Sequence, residues 1–283
     1  MAKGLQRFLP KRFRKQRTVV PVVRLTGMIA ADSGGIGRKA LSMATVEPLL
    51  DKAFEIKDAP VVAIEINSPG GSPVQSRLIF RRIRELAEKH DRKVLVFCED
   101  VAASGGYMIA CAGDEIIADP SSIVGSIGVV SGGFGFVDLI RRIGVERRLY
   151  TAGRNKATLD PFSPEKPEDV EHLKSLQLDV HETFIELVRE RRAGRLREDE
   201  PDLFSGQFWS ARRGIELGLV DRLGTLHEVL AERFGPDVEL ERIRPRRGLL
   251  GGRIGFGADA AAAAAERLAG VAEERALWSR FGL

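Results

Sequence analysis

A serine followed by two glycines, at Ser104, Gly105 and Gly106, has the residue types of an acyl-transfer site. It comes shortly after an apolar run, Val94–Cys98, that is typical of a buried strand. Glycines let backbone and substrate approach closely because they carry no side chain. If a helix begins after the serine, its first N–H groups can stabilise the negative charge that develops on an attacked carbonyl oxygen. A helix N-cap beside a packing glycine pair has the same residue types, so the motif alone leaves both interpretations open.

A serine nucleophile needs a base, and histidine is the commonest one. The chain has four histidines, all among charged neighbours, which we interpret as solvated surface residues: His90, His172, His181 and His227. The Gly-x-Ser-x-Gly pattern of the hydrolase elbow is absent, because Ala102 stands at its first position. A histidine-based triad is therefore not favoured.

Lysine is the other candidate base. Its reference pKa of about 10.4 has to be lowered by burial before the amine can accept a proton at neutral pH. The chain has 11 lysines against 33 arginines, and arginine does not lose its proton in proteins. Three lysines follow Ser104: Lys156 lies in a glycine-containing loop, and Lys166 and Lys174 lie among charges at or on a helix. Lys156 is the best placed of them, although its surroundings also fit a solvated loop lysine.

The elements around these residues alternate between strand and helix patterns. Two units each join an apolar strand, a glycine-rich turn and a helix: Pro60–Ile66 with Asn67–Gly71 and Val74–Lys89, and Lys93–Cys98 with the Ser104 motif. Such units predict an α/β fold with parallel strands, whose carboxyl ends meet at one edge of the sheet. We therefore expect both glycine turns at that edge, where ligands bind in such folds.

Other patterns divide the chain into three parts. We expect a basic N-terminal arm (1–19), an α/β domain (20–235) and a C-terminal part (236–283) with a Gly/Arg-rich linker and an Ala-rich helix from about 259 to 281. Inside the domain the patterns predict a first strand at 19–25, a glycine-rich loop at 32–39, a strand at 145–150, a long helix at 165–192 and a short helix at 207–217.

The net charge of +4 is unevenly spread. The first 17 residues carry seven Lys or Arg and no acid, so the basicity belongs to the N-terminal arm and does not indicate a nucleic-acid-binding surface. The arm fits either a solubilising tail or a peripheral contact with an anionic membrane surface. We find no transmembrane run or signal peptide, and expect a cytoplasmic protein or one at the inner membrane face. Cys98 and Cys111 lack metal-ligand spacing, so we expect no disulfide framework or zinc site. We expect no cofactor.

Four blocks resemble the signal peptide peptidase A family of Ser-Lys serine peptidases. They are 67–71 (NSPGG), 103–107 (ASGGY), 125–129 (GSIGV) and the loop with Lys156, and 214–224 resembles the C-terminal segment of that family. The resemblance runs from about residue 20 to 235. It implies a Clp/crotonase-like α/β core, built from repeated strand-strand-helix units with a parallel sheet.

The resemblance also implies roles for individual residues. Ser104 would be the nucleophile and Lys156 the general base, with the Ser126 hydroxyl orienting the lysine amine. The oxyanion hole would consist of the backbone N–H groups of Gly71 and Gly105. The expected substrates are extended apolar peptides, such as signal-peptide remnants or unfolded segments. The family also implies a ring- or dome-like homo-oligomer with active sites near subunit interfaces.

The chain departs from the family pattern at two places, and three alternative functions remain open. The chain has a short basic arm in place of the family's usual membrane anchor or export signal, and Met108 replaces a second aromatic residue. The departure at the N-terminus puts the clearing of signal peptides in question. A crotonase-like acyl-CoA enzyme would not need the Ser-Lys pair, and a Clp-type peptidase would have its histidine within a few tens of residues of the serine. An inactive membrane-associated scaffold would have lost one residue of the dyad.

Overall fold

The computed structural model of the chain describes residues 17–31, 40–245, 275 and 278–282. Most of the N-terminal arm, the glycine-rich loop expected at 32–39 and most of the Ala-rich helix expected at 259–281 lie outside the described residues. Among the helices of the described part, none is long and apolar enough to cross a bilayer.

Strands and helices alternate along the described residues. The strands are β1 (Val19–Thr26), β2 (Val61–Ser68), β3 (Lys93–Ala103), β4 (Glu115–Ala118), β5 (Ile123–Gly125), β6 (Phe208–Ser210), β7 (Arg222–Leu223) and β8 (Glu239–Arg242). The helices are α1 (Met43–Phe54), α2 (Pro73–Lys89), α3 (Gly105–Ala110), α4 (Val137–Arg142), α5 (Pro167–Arg191), α6 (Ala211–Glu216) and α7 (Leu226–Phe234).

These strands form one sheet in the order β6-β5-β3-β2-β1-β8, and β4 pairs with β3 and with β7. Every pairing is parallel except β5 with β6. The predicted α/β class and mostly parallel sheet are therefore confirmed. The outermost strand, β8, lies beyond residue 235 and pairs with β1.

The central strand β3 is shared by two neighbours on the same side. It pairs with β4 along Leu95–Cys98 and with β5 along Val101–Ala103. On its other side it pairs with β2, whose eight residues are all buried. The carboxyl end of β3 therefore lies between β2 and β5, and the glycine turns after β2 and β3 share one edge of the sheet, as predicted.

Helices cover both faces of the sheet. On one face, α1, α2 and α3 pack on alternate strand residues such as Val23, Ile64 and Val96. On the other face, α7 packs on the residues that point the opposite way, such as Val22 and Phe97. This two-sided burial explains why the inner strands read as continuous apolar runs in the sequence.

Two local predictions were wrong. Residues 145–150 form no strand, and all six are exposed. The backbone N–H and carbonyl groups of a strand need hydrogen-bond partners on a neighbouring strand, and no strand of the described residues lies beside these six. The predicted helix at 207–217 begins instead as strand β6, which pairs with β5, and becomes helical only at Ala211.

Residues 130–162, which we call the exposed segment, stand apart from this core. None of them is buried, and α4 within the segment buries no residue. Large apolar side chains are exposed along it, including Phe134 (81%), Ile143 (65%) and Tyr150 (90%). The long helix α5 follows the segment, and its buried residues all lie at or beyond Phe184.

Candidate active site

Ser104 occupies the turn between β3, which ends at Ala103, and α3, which begins at Gly105. Its backbone has φ +52° and ψ −121°, a conformation that costs a non-glycine residue about 1–3 kcal/mol. The Ser104 N–H donates a 2.8 Å hydrogen bond to the Gly125 carbonyl and so ties the turn to β5. All six residues of α3 are buried whereas Ser104 is partly exposed, so a substrate can reach this serine. A strained strand-to-helix turn also exposes the serine of a nucleophile elbow, although the Gly-x-Ser-x-Gly sequence of that elbow is absent here.

Glycines let the turn after β2 lie against this serine. A β-carbon at Gly70 would stand 2.8 Å from Ser104 Cβ and 2.9 Å from the Ala103 carbonyl oxygen. A β-carbon at Gly105 would stand 2.3 Å from Ser76 Oγ on α2. These distances are shorter than van der Waals contact, so a larger residue at Gly70 would push the two turns apart, and one at Gly105 would displace the Ser76 side chain.

The two residues predicted to form an oxyanion hole, Gly71 and Gly105, belong to these turns. Gly105 is the first residue of α3, so its N–H has no acceptor within the helix. Neither the Gly71 nor the Gly105 N–H donates a hydrogen bond to another described residue, whereas the Ser72 N–H beside them donates to the Ile29 carbonyl at 2.8 Å. Unused backbone donors at the serine are the groups that oxyanion stabilisation requires.

Ser126 lies beside Ser104 at the same edge of the sheet. Ala103 pairs with Gly125 in the register of β3 and β5, so the two serines follow at the next position of neighbouring strands, whose usual spacing is about 4.8 Å. Ser126 is buried, and its φ of +54° also lies in the left-handed region. Its N–H donates a 2.8 Å hydrogen bond to the Gln207 carbonyl. Both serines predicted to act together therefore have strained backbones.

Lys156 is not brought to this edge. It lies in a turn of the exposed segment, where its own N–H bonds the Gly153 carbonyl at 3.2 Å, and its side chain is exposed. No hydrogen bond joins it to Ser104 or Ser126 among the described residues. The structure thus brings together four of the five predicted site residues and leaves the predicted base in solvent.

The two cysteines are not competing nucleophiles. Burial raises the pKa of both Cys98 and Cys111 to about 12, so the thiols stay protonated and unreactive at neutral pH. Within the described ranges, no group of three or more His, Cys, Asp or Glu residues could hold a metal ion.

Two arginines fix the far end of the helix that begins at the nucleophile. Arg191, at the end of α5, donates from Nε to the Cys111 carbonyl at 2.9 Å and from Nη2 to the Gly113 carbonyl at 3.1 Å. Arg84, on α2, donates from Nη1 to the Ala112 carbonyl at 3.1 Å. Cations at this end complement the helix dipole and satisfy carbonyls that have no partner within the helix.

A buried ion pair also supports helix α3. Arg192 is 1% exposed and donates two hydrogen bonds to the Asp221 carboxylate, at 2.7 and 2.9 Å. Burial would raise the pKa of Asp221, but the hydrogen bonds from Arg192 and the Ile116 N–H outweigh it and lower that pKa. The Tyr107 hydroxyl, on α3, donates to the Leu219 carbonyl at 2.9 Å, so the strand-to-helix turn rests on the segment that this ion pair holds.

The four histidines differ in their exposure to solvent, whereas the sequence predicts that all four are exposed. His172 and His227 are exposed, as expected, and His90 packs against the Phe54 ring. His181 is half-buried on α5, and its Nε2 lies 3.1 Å from the Ile127 carbonyl oxygen, one residue after Ser126. Sequence reasoning missed this contact because His181 and Ile127 are 54 positions apart and no local pattern joins them.

The end of the chain packs behind the nucleophile strand. Phe281 is buried and, with Trp278, closes a small apolar cluster with Val101 and Ala103 of β3. Its ring meets that of Phe208 edge-on, with centroids 5.0 Å apart. The residue immediately before Ser104 is therefore covered by the C-terminus.

Comparison with known proteins identifies similar sequences. The model of peptidase family S49 matches residues 87–234. A putative protease of Synechocystis sp., slr0021, is 33% identical over 74% of this chain and 71% of that protein. A solved structure of a membrane-bound stomatin-specific protease, 1510-N, is similar with a TM-score of 0.49 and 16% identity, covering 81% of this chain and 99% of that one.

A more similar relative has an unrelated name. A Brucella abortus protein called Na(+)/H(+) antiporter NhaA is 58% identical over 99% of this chain, but the match covers only 39% of that protein. The chain thus spans about two fifths of the length of this relative.

Proposed function

Because the chain belongs to peptidase family S49, as the resemblance in its motifs predicts, we propose that it is a serine endopeptidase with a Ser-Lys dyad. The observation that carries the proposal is the turn at Ser104. A strained, reachable serine begins a helix there, beside backbone N–H groups of Gly71 and Gly105 that bind no other described residue.

In this mechanism the Ser104 hydroxyl gives its proton to the Lys156 amine as Oγ attacks the peptide carbonyl carbon. The carbonyl oxygen becomes an oxyanion, which accepts hydrogen bonds from the N–H groups of Gly71 and Gly105. The protonated lysine then gives the proton to the leaving amine, and an acyl-enzyme forms on Ser104. Water, deprotonated by Lys156, hydrolyses the ester and restores the serine. Ser126 orients the lysine amine.

We infer that the substrates are extended apolar peptides, such as signal-peptide remnants or unfolded segments. Two apolar side chains on α2, Val74 (65% exposed) and Leu78 (42%), lie one turn apart close after Gly71. A peptide whose carbonyl binds at Gly71 could place its apolar side chains against them. This contact would bury apolar surface of both the enzyme and the peptide. We also propose that the basic N-terminal arm contacts anionic lipid at the inner membrane face, because its seven Lys or Arg residues carry no acidic neighbour.

We further infer that Lys156 reaches Ser104 from a second copy of the chain. In the single chain Lys156 is exposed to solvent, and a lysine base has to be buried. The exposed segment that carries it also exposes Phe134, Ile143 and Tyr150, and monomers rarely leave such a run of apolar surface in water. Packing this segment on another subunit would bury both the apolar side chains and the lysine.

Hydrolysis of a fluorogenic apolar peptide by the wild type and by Ser104→Ala tests the proposal. We expect the variant to lose at least about 1,000-fold in kcat while its circular dichroism stays that of the wild type. Activity of the wild type should rise through an alkaline limb that reports its base. Equal turnover by the two proteins would remove Ser104 as the nucleophile.

The base is tested by Lys156→Arg, which keeps the charge but cannot accept a proton. We expect a loss close to that of Ser104→Ala. Lys166→Arg, another lysine outside the core, is the matched control and should keep wild-type turnover. If Lys156→Arg turns over like its control, another group is the base.

Two other functions would give different results in these assays. A crotonase-like acyl-CoA enzyme would convert acyl-CoA without needing Ser104 or Lys156. An inactive scaffold would show no turnover in any of these proteins across a broad peptide panel.

A further inference from the structure

His181 holds the backbone directly after Ser126. Its Nε2 lies 3.1 Å from the Ile127 carbonyl oxygen, and the histidine ring is half-buried on α5. We propose that His181 is a positioning residue that keeps Ser126 in place for the Ser-Lys reaction. This inference rests on the proposed function, since it concerns the role given there to Ser126.

The chemistry of the contact determines which ring atom carries hydrogen. A carbonyl oxygen only accepts hydrogen bonds, so Nε2 must be protonated for the contact to form. The neutral Nε2–H tautomer and the imidazolium cation both meet this requirement. The hydrogen bond therefore persists whether the ring is neutral or charged, and its role is to hold the backbone in position.

The segment around Ser126 needs such support because its backbone is strained. Gly125 has φ +92° and Ser126 has φ +54°, and a non-glycine residue keeps that conformation only when its surroundings enforce it. Besides the strand pairing of Gly125, hydrogen bonds from three other parts of the fold hold these consecutive residues. Gly125 accepts from the Ser104 N–H at 2.8 Å, Ser126 donates to the Gln207 carbonyl at 2.8 Å, and Ile127 accepts from His181.

Each of these bonds comes from a different part of the fold. The first comes from the nucleophile turn, the second from the residue before β6, and the third from α5. Only the third is made by a side chain, so it is the one that a substitution can remove without altering the backbone. The Ile127 side chain is fully buried, which leaves its backbone little freedom to find water in place of the histidine.

The helix that carries His181 also follows the loop of the proposed base. The Asp169 carboxylate, in the first turn of α5, accepts a 3.2 Å hydrogen bond from the Leu159 N–H, three residues after Lys156. Thus α5 contacts, within one chain, the loop of the lysine that we propose acts in a second copy and, near its middle, the Ser126 segment of the chain's own site. His181 is the point where this helix meets Ile127, the residue directly after the proposed lysine-orienting Ser126.

The test compares two substitutions at His181 with a control on the same helix. His181→Leu removes the donor and keeps an apolar side chain, whereas His181→Gln keeps an N–H₂ donor at the end of a side chain of similar reach. His172→Leu makes the same change at an exposed position of α5. Steady-state hydrolysis of the fluorogenic peptide and thermal melting are measured for each, together with labelling of Ser104 by a fluorophosphonate, which reports the nucleophile without turnover.

We expect His181→Leu to lower kcat by about 10- to 100-fold with KM within about twofold of wild type, because a misplaced catalytic group affects the chemical step more than binding. His181→Gln should recover most of kcat, and His172→Leu should match wild type. The inference is overturned if His181→Leu keeps wild-type kcat, if glutamine rescues nothing, or if the loss in kcat follows a loss of folded protein in the melting curve. Wild type that neither labels nor turns over, or labelling that survives Ser104→Ala, would instead refute the proposed function.

Discussion

At the scale of single residues, the two serines of the proposed site share an unusual backbone. Ser104 (φ +52°) and Ser126 (φ +54°) both adopt a conformation that suits glycine, and they directly follow the paired ends of β3 and β5. The surrounding fold has to supply the free energy for this strain, of the order of 1–3 kcal/mol for each residue. Strain that is kept at two adjacent hydroxyl-bearing residues is typical of a site that positions groups for chemistry.

The close approach of two glycine turns leads to a prediction at Gly70. Gly70→Ala adds a methyl group 2.8 Å from Ser104 Cβ, at φ +104°, and should lower kcat at least about 100-fold by displacing the nucleophile. Gly27→Ala is the matched control, because Gly27 has φ +106° and no atom within 4 Å of the added carbon. Peptide hydrolysis and thermal melting are measured for both variants.

The control separates backbone strain from the clash. Gly27→Ala should lose some stability, since alanine disfavours this φ, and should keep wild-type turnover. If the two variants lose activity equally, the contact of Gly70 with Ser104 has no role of its own.

At the scale of elements, α5 does more for the site than its sequence pattern indicates. Its end supplies Arg191 to the carbonyls that follow α3, and Arg192 to Asp221 beneath Tyr107. Its middle supplies His181 to the Ser126 segment. The nucleophile helix and the strand beside it are thus supported by one helix that contributes no predicted catalytic residue.

The buried ion pair leads to a prediction about stability and pH. The pKa of Asp221 is lowered in the folded protein, so the pair stabilises the fold fully above the unfolded-state pKa of about 4. This contribution is lost as the pH falls from about 4 through the lower folded-state pKa. Asp221→Asn should cost about 3–5 kcal/mol at pH 7, because it leaves the buried Arg192 charge without its partner. Urea unfolding at pH 7 and at steps below pH 4 measures both effects.

The variant should also depend less on pH than the wild type below about pH 4. Asp199→Asn is the control, since it makes the same substitution in an exposed pair with Arg197, where ion pairs contribute little, and it should leave the stability at pH 7 near that of the wild type. Parallel wild-type and Asp221→Asn curves in acid would show that this carboxylate is not a source of the acid sensitivity.

At the scale of the whole molecule, the exposed segment is the feature that a single chain leaves unexplained. Its residues are unburied from 130 to 162, it exposes Phe134 and Tyr150, and it holds the proposed base away from the proposed nucleophile. A second copy that packs on this segment would account for all three observations.

Mixing two inactive variants tests this assembly. Ser104→Ala keeps Lys156, and Lys156→Ala keeps Ser104, so a mixed oligomer contains some sites with both intact residues if the dyad spans an interface. We expect activity to return when the two proteins are dissociated and reassembled together, and not when either is reassembled alone. Mixed oligomers, verified by distinct affinity tags, that remain inactive would show that each dyad is completed within one chain.

Much of the site could be predicted from the sequence. Apolar runs followed by glycine turns predicted that Gly71, Ser104 and Gly105 would meet at one edge, because parallel strands present their carboxyl ends together. The resemblance in the 125–129 block indicated Ser126, which the register of β3 with β5 places next to Ser104. The long helix was predicted within a few residues, since its apolar spacing is a local property.

Only the tertiary structure decided the features that depend on residues far apart in the chain. The apolar residues at 145–150 form no strand, because strand formation requires a partner that the fold does not supply there. The Arg192–Asp221 pair and the His181–Ile127 contact join residues 29 and 54 positions apart. Local pattern determines which segments are strands or helices and where their ends meet. Packing between elements determines which side chains support those ends and how much strain the backbone keeps there. A periodic sequence pattern does not contain this information.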